Sequence, residues 1–197
     1  MNIVVVSGIN WKMKIEEDQM PTFKEMTQYF QDVGANDVPH TKKTYLAHGI
    51  GVYQDMKQWG GDEDMCRAAL FHSIYGTQQF QGFTLPLERR EELKAFIGER
   101  AEWIAFLNCF MDRATMDAQV TEDKDVYPIR NRETGEMMDV SRENFDDLVR
   151  LHLCDMLEQV ERSQAWNNRR EAFRNMAERL GGVALESYDR VFAAAPA

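Results

Sequence analysis

Residues 45–80 read YLAHGIGVYQDMKQWGGDEDMCRAALFHSIYGTQQF. Two helices are written into this stretch. Tyr45, His48, Val52, Met56 and Trp59 recur every three to four residues and share one face of a helix from about Lys42 to Trp59. Gly60-Gly61 breaks it. Asp62 is a good N-cap for the next helix, and Glu63 and Asp64 place negative charge in its first turn, where the helix dipole favours it. Ala68-Ala69-Leu70-Phe71 then run apolar into His72 and Ser73, with a stop expected near Tyr75-Gly76. His48 and His72 thus fall on successive helices. Such a pair is a metal-site pattern, and it is also how two structural histidines look.

Outward from this hairpin the chain reads as helices. Pro21-Thr22 opens one with a Phe23, Met26, Phe30, Val33 stripe, and Gly34 ends it. Pro39 argues for a loop before His40, whose expected role is at the surface or in capping. A connector containing Pro86 leads to a short helix over 88–97 and, after Gly98, to another over 99–111. VYPIRNRETGEMMDV, around Glu133-Thr134-Gly135-Glu136, reads as a β-hairpin. Ser141 caps a helix of about twenty residues with Phe145, Leu148, Val149, His152, Met156 and Val160 on its inner face. A helix over 164–180 follows, closed by Gly181-Gly182, with a short helix or tail after it. Arg89-Arg90 and Arg169-Arg170 read as solvated helix faces. Residues 3–7, IVVVS, suggest a short strand or an ordered arm.

The chain of 197 residues is long enough for one domain with a proper core. One unit over 1–197 is expected, with its core at about 20–182 and residues 1–19 as an N-terminal arm. Acids outnumber bases by 33 to 23, the wrong sign for a binder of nucleic-acid polymers. Cys66, Cys109 and Cys154 form no C-x-x-C pair, which fits reduced thiols in a cytoplasm. MNIVVVSGIN lacks a basic region before its apolar run and reads as neither signal peptide nor membrane span. No partner beyond a small anionic molecule is indicated, and a homodimer stays open.

His152 and Asp155, three residues apart, share a helix face and a region of the interior. Buried ionisable groups are costly unless paired or bound to a cation. The order of the polar residues resembles the HD-domain metal-dependent phosphohydrolases. LAHGIGVYQDMKQWG is similar to their first-histidine helix, AALFHSIYG to their His-Asp helix and LHLCDMLEQ to their last-aspartate helix. Ser73 stands where that family has Asp. The H-S-x-Y-G-T segment also resembles an uncharacterised bacterial group related to the HD fold. The resemblance covers residues 40 to 160.

It implies an all-α, HD-like helical bundle with the small hairpin inserted, and a divalent metal (Fe, Mn, Zn or Mg) held by His48, His72 and Asp155. It implies hydrolysis of a phosphoester or nucleotide-like metabolite; in that reaction Arg113 or His152 would steady the leaving charge, and Ser73 would hydrogen-bond the metal's water. Two histidines and one carboxylate are also the ligand set of non-haem iron oxygenases, an activity found in the wider superfamily. The third alternative is a non-catalytic binding protein that has lost the metal.

Overall fold

The computed structural model describes residues 20–35 and 37–196, and the arm expected over residues 3–7 lies outside them. Among the described residues the protein is all-α, with two small two-stranded hairpins. Helix α1 (Phe23–Asp32) starts at a capping box: the Thr22 hydroxyl accepts from the Glu25 N–H, and the Glu25 carboxylate accepts from the Thr22 N–H at 2.8 Å. Its Met26, Tyr29 and Phe30 face the core. Phe30 packs on Phe71 with ring centroids 4.8 Å apart.

Helix α2 (Tyr45–Gln58) and helix α3 (Glu63–Phe71) are the pair expected from residues 45–80. Asp62 caps α3 by accepting from the Met65 N–H at 2.9 Å. Helix α3 ends earlier than expected. His72 is the C-cap, and turns rather than helix carry the chain through Ser73 to Gly76. Two glycines let α2 come close to its neighbours. A Cβ on Gly49 would stand 2.9 Å from the Leu70 carbonyl oxygen, and one on Gly51 would stand 2.6 Å from a Glu158 carboxylate oxygen.

Helices α4 (Arg90–Ile97) and α5 (Glu99–Phe110) meet at Gly98, whose φ of 96° only glycine adopts comfortably. A 3-10 turn over Leu87–Arg89 leads into α4. Asp112 then caps a helix absent from the expectations, α6 (Arg113–Asp117).

Strands β1 (Pro39–His40) and β2 (Lys43–Thr44) form a miniature hairpin where a loop was expected. Strands β3 (Val126–Arg130) and β4 (Met137–Ser141) form the anticipated one, paired from Val126↔Ser141 to Arg130↔Met137. Its turn end is joined to the end of α5 by the Met111↔Asn131 bridge.

Helix α7 (Arg142–Ser163) is the longest and packs on α2, α3, α5, α8 and α9. Gln164, in the left-handed conformation, ends it. Helix α8 (Arg170–Leu180) therefore starts later than expected, because residues 164–169 are spent on the turn. Helix α9 (Gly182–Phe192) closes the bundle. Among the described residues no helix is long and apolar enough to cross a membrane.

A ring stack helps to seat the hairpin on α7. Tyr127 of β3 lies on Phe145 of α7, 3.9 Å between centroids and 4° from parallel, both fully buried. Phe145→Ala is expected to destabilise the protein by about 3–5 kcal/mol, since the cavity cannot close without moving β3. Chemical denaturation measures this, and a loss below about 1 kcal/mol would show the hairpin to be an independent flap.

Candidate metal centre

The three residues expected to converge do so. His48 comes from the first turn of α2, His72 from the end of α3 and Asp155 from the inner face of α7, and they are 0, 1 and 3 % exposed. One ligand atom from each lies within 4.8 Å of the others. His48 Nε2 is 2.9 Å and His72 Nε2 is 3.4 Å from the same Asp155 oxygen, Oδ1. The two imidazoles meet edge to face, 4.9 Å apart at 87°. A cation about 2.0–2.2 Å from each donor needs them roughly 3–3.5 Å apart, and the two distances to Asp155 are of that size.

The surrounding groups aim these donors. His72 Nδ1 donates to the Ala69 carbonyl at 2.8 Å, so Nε2 is the ring nitrogen turned toward Asp155. His48 Nδ1 donates to Glu158 Oε2 at 2.6 Å, the carboxylate–histidine pairing common behind metal ligands. Glu158 is also held by Lys43 at 2.8 Å and by Arg162. Gln159 Nε2 donates to Asp155 Oδ1 at 2.9 Å.

Burial would depress the His48 pKa, but bonds from Asp155 and Glu158 raise it to about 9. Burial would raise Asp155, but the His72 charge and the bonds to His48 and His72 hold it well below the usual carboxylate range. Burial likewise opposes Glu158 ionising, and His48, Arg162 and Lys43 outweigh it, giving about 2. Without a cation His48 is thus an imidazolium that donates one N–H to Glu158 and the other to Asp155.

Two residues of this centre escaped the sequence reading. Glu158 sits three residues after Asp155, in the quoted stretch LHLCDMLEQ, and that same-face spacing was its signal. His40, given a surface or capping role, is instead buried and stacked on His48 at 4.4 Å and 6°, with Phe80 meeting it edge to face at 4.4 Å. Burial and the His48 charge press its pKa down to about 4. The turn that folds it back is Thr41-Lys42, both at positive φ (39° and 62°) without a glycine to announce it.

The other candidates lie around this core. Ser73 is buried and faces the Tyr45 hydroxyl, which burial keeps protonated. His152 is buried with both ring nitrogens engaged. Nδ1 donates to Asn108 Oδ1 at 3.3 Å, and Nε2 accepts from Arg169 Nη1 at 2.8 Å. Burial, Arg113 and Arg169 push its pKa well below the ordinary value, so the ring is neutral. Asn108 also donates to the His72 carbonyl at 2.8 Å, tying His152 to the end of α3.

Arg169 therefore faces inward and pairs with Asp117, while Arg90 chelates buried Glu102 at 2.7 and 3.1 Å. Neither arginine belongs to the solvated face expected of it. A buried acceptor drew each one in, and no helical periodicity in the sequence announces such an acceptor.

Residues 29–113 match a family described as a domain of unknown function, DUF6817. That span holds His40, His48, His72 and Arg113 but neither Asp155 nor Glu158. No curated protein and no solved structure matches the chain.

Proposed function

We propose that this protein is a metal-dependent hydrolase of a small anionic metabolite, of phosphoester or nucleotide-like type, with a divalent cation held by His48, His72 and Asp155. The observation that carries this is the convergence of three buried donors from three helices, two of them oriented by bonds from behind. The ordered resemblance to the HD-domain phosphohydrolases supports it, as does the chemistry of the set: two imidazoles and one carboxylate leave coordination positions open. A bound divalent cation supplies a Lewis acid and a water acidic enough to serve as a nucleophile near neutral pH.

The chain's own residues do the rest. Glu158 holds the His48 ring and takes up positive charge behind it. The Ala69 carbonyl fixes the tautomer of His72. Gln159 and the two histidines keep Asp155 ionised. His40 and Phe80 cover the His48 side and exclude bulk water, which strengthens every charge interaction inside. His152 is neutral, so its part is to position Asn108 and Arg169 rather than to offset negative charge. Ser73, in place of a fourth ligand, leaves one more position for water or substrate.

The same three ligands are those of non-haem iron oxygenases, so metal identity is the test. Protein purified without chelator is expected to carry about one equivalent of zinc, manganese or magnesium, and His72→Ala about none. Metal restored to chelated wild type is expected to raise the melting temperature and to support phosphoester hydrolysis. Iron together with oxygen consumption would replace the hydrolase reading by the oxygenase one. Absence of any metal, with wild-type stability in His48→Ala and His72→Ala, would leave a binding protein.

A further inference from the structure

Among the described residues, Arg113 is a buried cation with no ion pair. It is 6 % exposed, and its Nη1 is fully buried with no hydrogen-bond partner. Its backbone N–H is tied to Gln78 Oε1 at 3.2 Å, which places it under the loop that follows Gly76. Every carboxylate near it is committed elsewhere. Asp117 is paired with Arg169, and Asp155 accepts from His48 and Gln159. The neighbouring guanidiniums are already matched, Arg169 by Asp117 and Arg132 by Glu133. Of these three guanidiniums, that of Arg113 is the one with no ion pair among the described residues.

An uncompensated buried charge costs several kcal/mol, and a fold keeps one only where something repays it. The planar fork of arginine matches the paired oxygens of an oxyanion. A phosphate oxyanion offers such a pair of oxygens to the one guanidinium here that has no ion pair. Burial lowers the Arg113 pKa to about 10, with Asp155 pulling the other way and Arg169 adding to the fall, so the group stays charged at neutral pH and Asp155 lies within its electrostatic reach.

We propose that the buried, unpartnered guanidinium of Arg113 is the receptor for a phosphate group, bound beside the His48–His72–Asp155 cluster. The identity of the ligand as the phosphate of a hydrolysable substrate rests on the function proposed above. The receptor itself does not, and the experiment separates them.

Inorganic phosphate is titrated into chelated, metal-free wild type and into Arg113→Met, followed by calorimetry and by melting temperature, with acetate at equal ionic strength as the control. Wild type is expected to bind phosphate and to be stabilised by it, whereas acetate does neither. Arg113→Met is expected to bind at least roughly 30-fold more weakly, the loss typical of truncating one side of a buried charge pair. It is also expected to melt at or above the wild-type temperature without phosphate, because an unpaired buried charge has been replaced by an apolar chain.

Equal phosphate binding by both proteins, no binding by either, or equal protection by acetate would overturn the proposal. So would a marked fall in the melting temperature of Arg113→Met, which would show a structural cation. Metal titration of Arg113→Met gives the separate reading: the variant keeps wild-type metal affinity if the metal centre is as described. A failure of metal binding in both proteins would sink the metal centre and leave the phosphate receptor standing.

Discussion

Asp155→Asn is expected to lose the metal altogether and to destabilise the metal-free protein by about 3–5 kcal/mol. The carboxylate is the hub of the centre. It accepts from His48 and from Gln159, both at 2.9 Å, and stands 3.4 Å from His72. An amide of the same shape removes the negative charge that keeps His48 protonated, and it turns a donor toward groups that are themselves donors. Equilibrium metal analysis and urea denaturation of chelated protein measure the two losses. A variant that keeps one equivalent of metal and unfolds with wild type would remove Asp155 from the centre.

The second large effect is in pH. His48 carries its proton up to about 9 in the metal-free protein, and a cation must take the lone pair at Nε2. Metal uptake at pH 7.5 is therefore expected to release about one proton per site, and apparent affinity is expected to rise about tenfold per pH unit up to that value. A pH indicator in weakly buffered solution reads the proton directly.

The same shifts set the stability of the metal-free state. The folded pKa of His48 lies above its ordinary 6.5, so its contribution is complete below that value and is lost as pH rises through about 9. The folded pKa of Glu158 lies below its ordinary 4.5, so its contribution is complete above that and is lost as pH falls through about 2. Each amounts to on the order of 3 kcal/mol, and both describe largely one contact, so they do not add. Glu158→Gln is expected to lower metal affinity 10–100-fold and to shrink the proton release at pH 7.5. Unchanged affinity and unchanged release would mean that Glu158 serves only Lys43 and Arg162.

The helices that build the centre were readable because their apolar residues keep helical spacing and their ends carry strong signals. Thr22, Asp62 and Ser141 cap as expected, and Gly98 breaks where only glycine is comfortable. The ordered appearance of His48, His72 and Asp155 was readable for the same reason, since each interrupts an apolar face. The parts that were not readable depend on contacts made across the chain. His40 is buried by a turn at Thr41-Lys42 that no glycine marks. Helix α6 is five residues long, too short for any periodicity. Arg169 and Arg90 look like surface charges until Asp117, His152 and Glu102 are in place around them.

Gly49 and Gly51 each weaken the middle of α2 by roughly 1 kcal/mol relative to alanine, on the helix that carries the candidate ligand His48, sealed from solvent. An ion can reach or leave so closed a chamber only when part of the wall parts, and α2 is the wall least held by its own backbone. Loading and chelator stripping should therefore be slow and gated, with a rate that follows amide exchange in α2 rather than ion concentration. The two small residues that let the helices come close would then also time the exchange of the cation.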